Sequence, residues 1–418
     1  MIRRWQSSIR DVYRDYPQPF WYLMGASFID ALGGALLFPF FTLYVTEKFG
    51  IGLSQVGLIF AGLTVTNVIG STLGGGLADR FGRKSMVIFG LISSALTVLA
   101  LGLIDRIEVF TLFALVTGLT GNIGGPARGA MVADLLPEEK RAAGFGLHRV
   151  IHNLAFVIGP AVGGLLAARS YLLLFVIDTI ASLLTAGLVF ALLPETRPQP
   201  VAGEPAVSTV QTFRDYGKVF RDRLYMVFLL ATGLMVLVYT QMQGPLAVFL
   251  RDVHGLGEQR WGYILSLNAG MVVVMQFWIT RRIENLPPFL VLAAGTLFYV
   301  VGFGMYAYVG TYAFFLLAMA IITIGEMLTA PVGNALAASL APEAMRGRYL
   351  AVFGFAWMIP GAVAMYLSGL IMDYGDPRWI WHAAAIVGVL TTGMYYGLHL
   401  FEQRRSRVGV PAVQAGSD

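Results

Sequence analysis

Residues 75–84 decide the fold of this chain and read Gly75-Gly76-Leu77-Ala78-Asp79-Arg80-Phe81-Gly82-Arg83-Lys84. The apolar stretches on either side, 53–77 and 85–104, are each long enough to cross a bilayer, which takes about 20 residues of helix. Three cations and one acid in a short loop are too costly to bury in the hydrocarbon core. We therefore expect this loop to lie at one face of a membrane.

The composition of the whole chain indicates an integral membrane protein. Its 418 residues are 57% hydrophobic and 13% charged, whereas an ordinary soluble domain carries about 25% charged residues. The net charge of +5 does not indicate nucleic-acid binding, because the basic residues are scattered through short loops. There is no cysteine, and the five histidines form no ligand-spaced cluster, so no disulfide, metal or cofactor is expected.

Twelve apolar segments of spanning length follow one another along the chain. They lie at 20–46, 54–78, 85–104, 108–134, 141–168, 171–193, 224–250, 259–280, 287–309, 311–340, 346–372 and 378–401. The sequence thus predicts an all-α membrane protein with twelve transmembrane helices in two six-helix halves. The halves are an N-terminal bundle (1–193) and a C-terminal bundle (224–418), joined by a polar cytoplasmic linker (194–223).

The distribution of cations predicts the orientation of the chain. If the N-terminus is cytoplasmic, most of the 29 Lys and Arg residues fall in cytoplasmic segments, as the positive-inside rule requires. Both termini are then cytoplasmic. We expect a multi-pass monomer in a plasma membrane, the inner membrane of a bacterium, with the lipid bilayer as its surroundings.

Three motifs carry a family resemblance. Residues 75–84 match G-x-L-A-D-R-x-G-R-K, the loop signature of the major facilitator superfamily, in the place where that family carries it. Gly159-Pro160-Ala161-Val162-Gly163-Gly164 in span five resembles the G-P-x-x-G-G signature of the drug:proton antiporter branch. Asp30, Gly33 and Pro39 in span one are similar to the D-x-x-G-x-x-x-x-x-P pattern of bacterial drug exporters. The resemblance extends over the whole chain in topology and is specific at these three places.

An internal repeat agrees with this resemblance. The segment 126–141 recurs at 331–346, where proline, alanine, leucine, Pro-Glu and arginine occupy the same places. The superfamily is built from such parallel six-span halves, with the substrate site near the membrane midplane between them. The resemblance thus implies a secondary transporter, not an enzyme, that works by alternating access. No nucleotide-binding signature occurs, so ATP is not the expected energy source. The resemblance to drug:proton antiporters implies a proton gradient instead.

Gating roles follow from the family motifs. In the superfamily, the loop aspartate pairs with cations and a helix end of the opposite half, which closes the cytoplasmic side. The residues assigned to gating are Gly75, Asp79, Arg80, Gly82, Arg83, Gly159, Pro160, Gly163 and Gly164. The alternatives are a topology signal alone for the loop and ordinary small-residue packing for span five.

Only three acids lie deep inside predicted spans, namely Asp30, Asp178 and Glu326. A charge at the bilayer centre costs at least about 2.5–3.5 kcal/mol, so each must face water, find a partner or become neutral. We interpret Asp30 and Glu326 as proton-coupling and substrate-binding groups, with His152 as a further proton relay. Asp178 is interpreted as structural, and a buried pair of His152 with Asp178 is the alternative to a relay.

The remaining candidate substrate-binding residues combine aromatic, amide and basic side chains. They are Phe38, Phe41, Tyr44, Arg128, Arg149, Tyr239, Gln243, Asn334 and Trp357. Aromatic residues at helical spacing are more often core than ligand-binding. Glycines beside Arg128 leave room for its side chain to reach another helix or an anionic ligand.

These observations predict proton-coupled efflux of amphipathic or drug-like compounds. One departure from the antiporter pattern favours a rival: the arginine usual early in span four is replaced by Ala114 or a neighbour. The rival is a lipid or anionic-metabolite carrier of the same fold that uses Arg128 and Arg149. A non-transporting membrane receptor or scaffold is the alternative from another class.

Overall fold

The computed structural model of the protein describes residues 15–196, 217–342 and 345–407. Most of the predicted linker, 194–223, and residue 343 of the repeat therefore lie outside the described residues. The helices of the first part are α1 (Gln18–Phe49), α2 (Leu53–Phe81), α3 (Arg83–Leu103), α4 (Ile107–Gly121), α5 (Gly124–Asp134), α6 (Glu138–Ala167) and α7 (Tyr171–Leu192). Those of the second part are α8 (Arg223–Tyr239), a 3-10 turn (Thr240–Met242), α9 (Pro245–His254), α10 (Glu258–Ile283), α11 (Pro288–Met305), α12 (Tyr312–Ser339), α13 (Arg346–Tyr374) and α14 (Trp379–Arg407).

Within the described ranges, twelve helical segments are long and apolar enough to span a membrane. Large apolar side chains remain exposed along them, for example Phe190 at 70% and Val274 at 70%. Such surfaces are expected where lipid replaces water as the solvent. The predicted all-α fold with twelve transmembrane helices is confirmed.

The described residues form two compact units. The first contains 15–50, 59–196 and 257–266, and the second contains 51–58, 217–256, 267–342 and 345–407. The helices α2 and α10 therefore each contribute their first residues to one unit and the remainder to the other. In the first unit, a core around Phe20, Met131 and Val189 joins α1, α5 and α7.

Span four, predicted as one helix over 108–134, is two helices separated at Asn122 and Ile123. In a continuous helix, the ring of Pro126 would clash with the carbonyl of Asn122. The chain turns instead, with the Ile123 N–H donating to the Thr120 carbonyl at 3.3 Å. Pro126 then lies in the first turn of α5, where a missing N–H costs nothing. This turn sets the direction in which Arg128 leaves α5.

The repeated proline, Pro331, leaves α12 unbroken. Its ring deprives the Met327 carbonyl of the usual helical donor, and the Gln276 side-chain amide donates to that carbonyl at 3.1 Å. A neighbouring helix thus supplies the missing bond, as is common in membrane proteins. Two glycines precede Pro126, whereas Thr329 and Ala330 precede Pro331, so the backbone is less free to turn at the second site.

Span seven, predicted over 224–250, is also interrupted. The helix α8 ends in the 3-10 turn, and α9 begins at Pro245. Proline at the first position of a helix fixes φ at a helical value and lacks only an N–H that would have no helical partner. The interruption leaves Gln241 and Gln243 in a turn instead of on a helix face.

Candidate functional site

The first unit contains an ion pair between two of the predicted site residues. The Arg128 guanidinium on α5 donates through Nη1 to Oδ2 of Asp30 on α1, at 2.6 Å. The Ser182 hydroxyl on α7 donates to the other oxygen, Oδ1, at 3.3 Å. Their side chains are 20% and 25% exposed for Asp30 and Arg128 respectively. Each charge is therefore neutralised by the other, and both side chains are partly exposed.

Asp178 and His152 lie near this ion pair but do not form a hydrogen bond with each other. Asp178 is 7% exposed and lies where a Cβ on Gly33 would approach its carboxylate. His152 is exposed and stacks on Phe156, with a ring-centroid distance of 5.0 Å. Among the residues that the structure describes, no hydrogen bond joins His152 to Asp178. The alternative of a buried pair between these two residues is therefore not supported by a contact.

The aromatic candidate residues of α1 differ in how deeply they are buried. Phe38 is 49% exposed, and Phe41 is 8% exposed. Tyr44 is buried, and its hydroxyl donates to the Leu101 carbonyl of α3 at 3.0 Å. Tyr44 thereby contributes to helix packing, whereas Phe38 is accessible to a ligand.

The second unit holds Glu326 in a different way. The Tyr239 hydroxyl donates to Glu326 Oε1 at 3.1 Å, and the Asn268 side-chain amide donates to Oε2 at 2.9 Å. The same Asn268 amide donates to the Thr323 hydroxyl oxygen at 3.0 Å. In the described ranges, no ion pair involves Glu326. Its carboxyl group is therefore satisfied by neutral donors from α8 and α10.

Aromatic side chains cover the Glu326 cluster. Tyr239 contacts the Trp357 ring edge to face at a centroid distance of 6.0 Å, and it lies 5.9 Å from the Tyr299 ring. The structure thus brings together three predicted residues, Glu326, Tyr239 and Trp357. Gln243 and Asn334 are both exposed, and the Asn334 amide donates to a carbonyl of its own helix.

The glycine-rich loop is a tight joint between α2 and α3. Gly82 has φ of +97°, which favours glycine. Arg83 forms an ion pair with Asp134 at the end of α5, and the Arg83 N–H donates to the Glu195 carboxylate at 2.8 Å. This carboxylate stabilises the start of α3 because free N–H groups point at it.

The other members of this loop are solvent-facing. Asp79 and Arg80 are exposed on the last turn of α2, and no atom lies within 4 Å of where a Gly75 Cβ would be. The helix α2 ends at Phe81, so Asp79 lies inside the helix, not beyond its end. Their predicted part in gating stays a prediction.

The glycines of the G-P-x-x-G-G segment let α6 approach two other helices, α1 and α10, closely. A Cβ at Gly159 would lie 2.5 Å from that of Ala35, and one at Gly163 would lie 2.5 Å from the Leu36 carbonyl oxygen. A Cβ at Gly164 would lie 2.7 Å from the Glu258 carbonyl oxygen at the start of α10. Small residues are therefore required where α6 meets α1 and α10, with Pro160 between them.

Arg149 is exposed on α6 and has no ion pair in the described part of the chain.

Sequence reasoning missed two carboxylates that matter for packing. Glu195 stabilises the start of α3. Asp373 accepts from the Leu53 and Ser54 N–H groups at the start of α2, at 2.8 and 2.9 Å. Both acids lie outside the predicted spans or at their ends, and only three-dimensional proximity reveals their partners.

No group of three or more potential metal-ligating side chains (His, Cys, Asp or Glu) occurs in the described ranges. The candidate residues therefore form one group in each unit. The first unit has the Asp30–Arg128 ion pair with the unpaired Asp178 beside it, and the second has the unpaired Glu326 with its aromatic neighbours. Such a set can exchange protons and bind small molecules.

The comparisons with known proteins identify the family. The model of the Major Facilitator Superfamily matches residues 23–365 and 290–415, so this chain belongs to that superfamily. A Na(+), Li(+), K(+)/H(+) antiporter of Planococcus maritimus is 26% identical over 398 residues, covering 88% of this chain and 93% of the relative. Multidrug resistance protein MdtH of Shigella flexneri is 24% identical over 382 residues, covering 89% and 92%.

Solved structures agree at the level of the fold. A crystal structure of a variant of the nucleoside transporter NupG superposes with a TM-score of 0.79 at 15% identity, covering 91% of this chain and 100% of that one. A peptide transporter POT in complex with sulfate gives a TM-score of 0.74 at 18% identity, covering 96% and 99%. The protein is thus a membrane transporter of the major facilitator type, and its substrates are expected to be small molecules.

Proposed function

We propose that this transporter is a proton-coupled exporter of amphipathic compounds, with Glu326 as the group that takes up and releases the proton. The observation that carries the proposal is the environment of Glu326, whose described partners are neutral donors. A carboxylate without a nearby cation bears the full cost of leaving water, whereas its protonated form does not. Protonation therefore changes the energy of this site strongly.

Asp30 has a different part in this proposal. Its charge is already balanced by Arg128, so it neither requires a proton nor offers a free negative charge to a cationic substrate. The same pairing weakens the rival hypothesis of an anion carrier, because the Arg128 charge is balanced too. Arg149 alone remains for that role.

The direction of transport and the compounds carried are supported by likeness only. The span-one and span-five motifs resemble those of drug exporters, and MdtH is called a multidrug resistance protein. At 24% identity, this likeness favours efflux without specifying a compound. The bacterial inner membrane and cytoplasmic termini follow as part of the same proposal.

Exchange of alkali cations for protons is the second candidate function. The Planococcus maritimus relative carries such a name. In the present chain, oxygens of Glu326 and Thr323 both contact the Asn268 amide, at 2.9 and 3.0 Å. Two oxygens that converge on one donor could also converge on a small cation, since Na⁺, like other hard cations, prefers oxygen ligands.

Reconstitution in proteoliposomes tests both candidates. We expect chloramphenicol to accumulate in vesicles with an acidic lumen, and we expect accumulation to stop when nigericin removes the pH gradient. Equal movement with and without the gradient, after subtraction of protein-free vesicles, would contradict the proposal. Proton release on addition of Na⁺, Li⁺ or K⁺ without any organic compound would support cation exchange instead.

A further inference from the structure

A cavity of about 360 Å³ lies among α1, α2, α3 and α4, entirely within the first unit. This volume falls in the usual range for small-molecule sites, about 300–1,000 Å³. Gly34 of α1 lines the cavity, and no atom lies within 4 Å of where its Cβ would be. Helix packing therefore does not require glycine at this position, and its missing side chain leaves the space open.

One wall of the cavity is aromatic. Phe38 and Phe41 of α1 both meet Phe60 of α2 edge to face, with ring-centroid distances of 6.2 and 5.7 Å. Phe38 is 49% exposed, so its ring is available to a ligand. Offset and edge-to-face contacts with a further ring are favourable in such surroundings.

Polar groups face the cavity from the other helices. Asn67 of α2, Ser94 of α3 and Asn122, at the turn between α4 and α5, all line it. The Asn122 amide donates to the Asn67 backbone carbonyl at 3.4 Å. Within the described ranges, the Asn67 side-chain amide and the Ser94 hydroxyl make no hydrogen bond, so both can serve a ligand.

Among the described residues that line this cavity, none has an ionisable side chain. A charged ligand would therefore lose its hydration without gaining a counter-ion, which is costly in an apolar site. An uncharged ligand with one hydrogen-bonding group meets no such cost. Apolar walls with a few convergent polar groups are the usual composition of a small-molecule site.

We propose that this cavity binds uncharged aromatic amphiphiles, with the ring against Phe38 and Phe60 and the polar group at Asn67 and Ser94. The inference deepens the proposed function, on which it rests, by naming the class of compound carried. Exchange of a neutral compound for a proton moves net charge, so transport of this class responds to the membrane potential as well as to pH.

Binding to the purified protein in nanodiscs tests the proposal. Tritiated 2-naphthalenemethanol is the uncharged probe, with 2-naphthoate and 2-naphthylmethylammonium as anionic and cationic competitors of the same shape. We expect saturable binding over empty nanodiscs and displacement by unlabelled 2-naphthalenemethanol only. Displacement by the charged competitors at similar concentrations, or no saturable binding, would overturn the proposal.

Gly34→Leu fills the cavity and should weaken binding by at least about tenfold. Gly25→Leu is the matched control, because Gly25 lies on the exposed side of the same helix with no atom within 4 Å of its Cβ position, and it should bind normally. Asn67→Leu should weaken binding about three- to tenfold. Wild-type affinity in both Gly34→Leu and Asn67→Leu would overturn the proposal. If one of the two variants does not fold, wild-type affinity in the other overturns it.

The failure of this inference can be separated from failure of the proposed function. Transport of chloramphenicol driven by a pH gradient, in a protein that does not bind the naphthalene probe, would contradict only the cavity assignment. Probe binding without any pH-driven transport would contradict only the proposed function.

Discussion

The two units of this transporter each place one predicted proton-coupling carboxyl group inside a spanning helix, and they satisfy it by different means. Asp30 in the first unit accepts from a guanidinium at 2.6 Å, whereas Glu326 in the second accepts from a phenol and an amide. A cation stabilises a carboxylate permanently, but neutral donors leave much of the desolvation cost in place. In the proposed mechanism, Glu326 is therefore the one of these two groups whose energy depends on a proton.

The largest expected effect comes from removing the titratable group of the second site. Glu326→Gln keeps the shape and the neutral partners but cannot release a proton. We expect pH-driven transport to fall by about a hundredfold or more, while exchange of labelled for unlabelled substrate without a gradient continues. Initial rates in proteoliposomes measure both quantities, and Glu139→Gln on the exposed start of α6 is the matched control. Undiminished pH-driven transport would remove Glu326 from the mechanism.

Breaking the ion pair of the first unit should affect folding more than coupling. Arg128→Leu leaves the Asp30 charge without its partner, which costs about 3–5 kcal/mol in a fully buried site. Because Asp30 and Arg128 are 20% and 25% exposed, we expect a smaller loss of about 1–3 kcal/mol in the free energy of unfolding. Denaturation in detergent measures this loss.

The double variant Asp30→Asn with Arg128→Leu sharpens the test, because it removes both charges. Its stability should recover most of the loss seen in Arg128→Leu alone. Arg149→Leu is the control, since no ion pair involves Arg149 in the described part of the chain, and its stability should change little. Equal destabilisation by both arginine variants would mean that the ion pair with Asp30 does not stabilise the fold.

Asp373 offers a third way to satisfy a carboxylate, namely the N-terminus of a helix. It accepts from the Leu53 and Ser54 N–H groups and from the Ser54 hydroxyl. Asp373→Asn keeps one acceptor oxygen and loses the charge, so we expect a loss of about 0.5–2 kcal/mol in the free energy of unfolding. Asp376→Asn, two residues after the end of the same helix, should cost less, and thermal denaturation of the two variants compares them.

The smallest expected effect concerns one donor to the second carboxyl group. Tyr239→Phe removes the hydrogen bond of 3.1 Å to Glu326 and keeps the ring. We expect the rate of pH-driven transport to fall by about three- to tenfold and not to vanish, because the Asn268 amide remains. Tyr308→Phe, at a tyrosine that is 80% exposed, should transport normally. A loss as large as that of Glu326→Gln would mean that Tyr239 itself carries the proton.

The sequence predicted the fold well because a bilayer demands long apolar helices, and these are visible as composition. It also singled out Asp30, Arg128, Glu326 and Tyr239, since polar groups are rare in such helices. It did not predict that Asp30 and Arg128 bind each other. That pairing depends on the turn before Pro126, which a pattern of spanning length does not reveal.

Other parts of the site depended on contacts between distant segments. Asn268 reaches Glu326 across 58 positions of sequence, and Asp373 reaches Ser54 across 319. Helical periodicity indicates which residues share a face of one helix, but it gives no register between helices. The cavity among α1, α2, α3 and α4 was missed for the same reason, because its lining residues come from four separate helices and the turn after α4.

Infrared difference spectroscopy of a pH titration tests the central claim most directly, because the C=O stretch of a protonated carboxyl group is observed without any assumption about substrate. We predict a band of a protonated carboxyl group in the wild-type protein that disappears on alkaline titration, persists in Asp30→Asn and in Asp178→Asn, and is absent from Glu326→Gln. A band that remains in Glu326→Gln and disappears in Asp30→Asn would contradict the account, because the proton would then belong to the ion pair of the first unit.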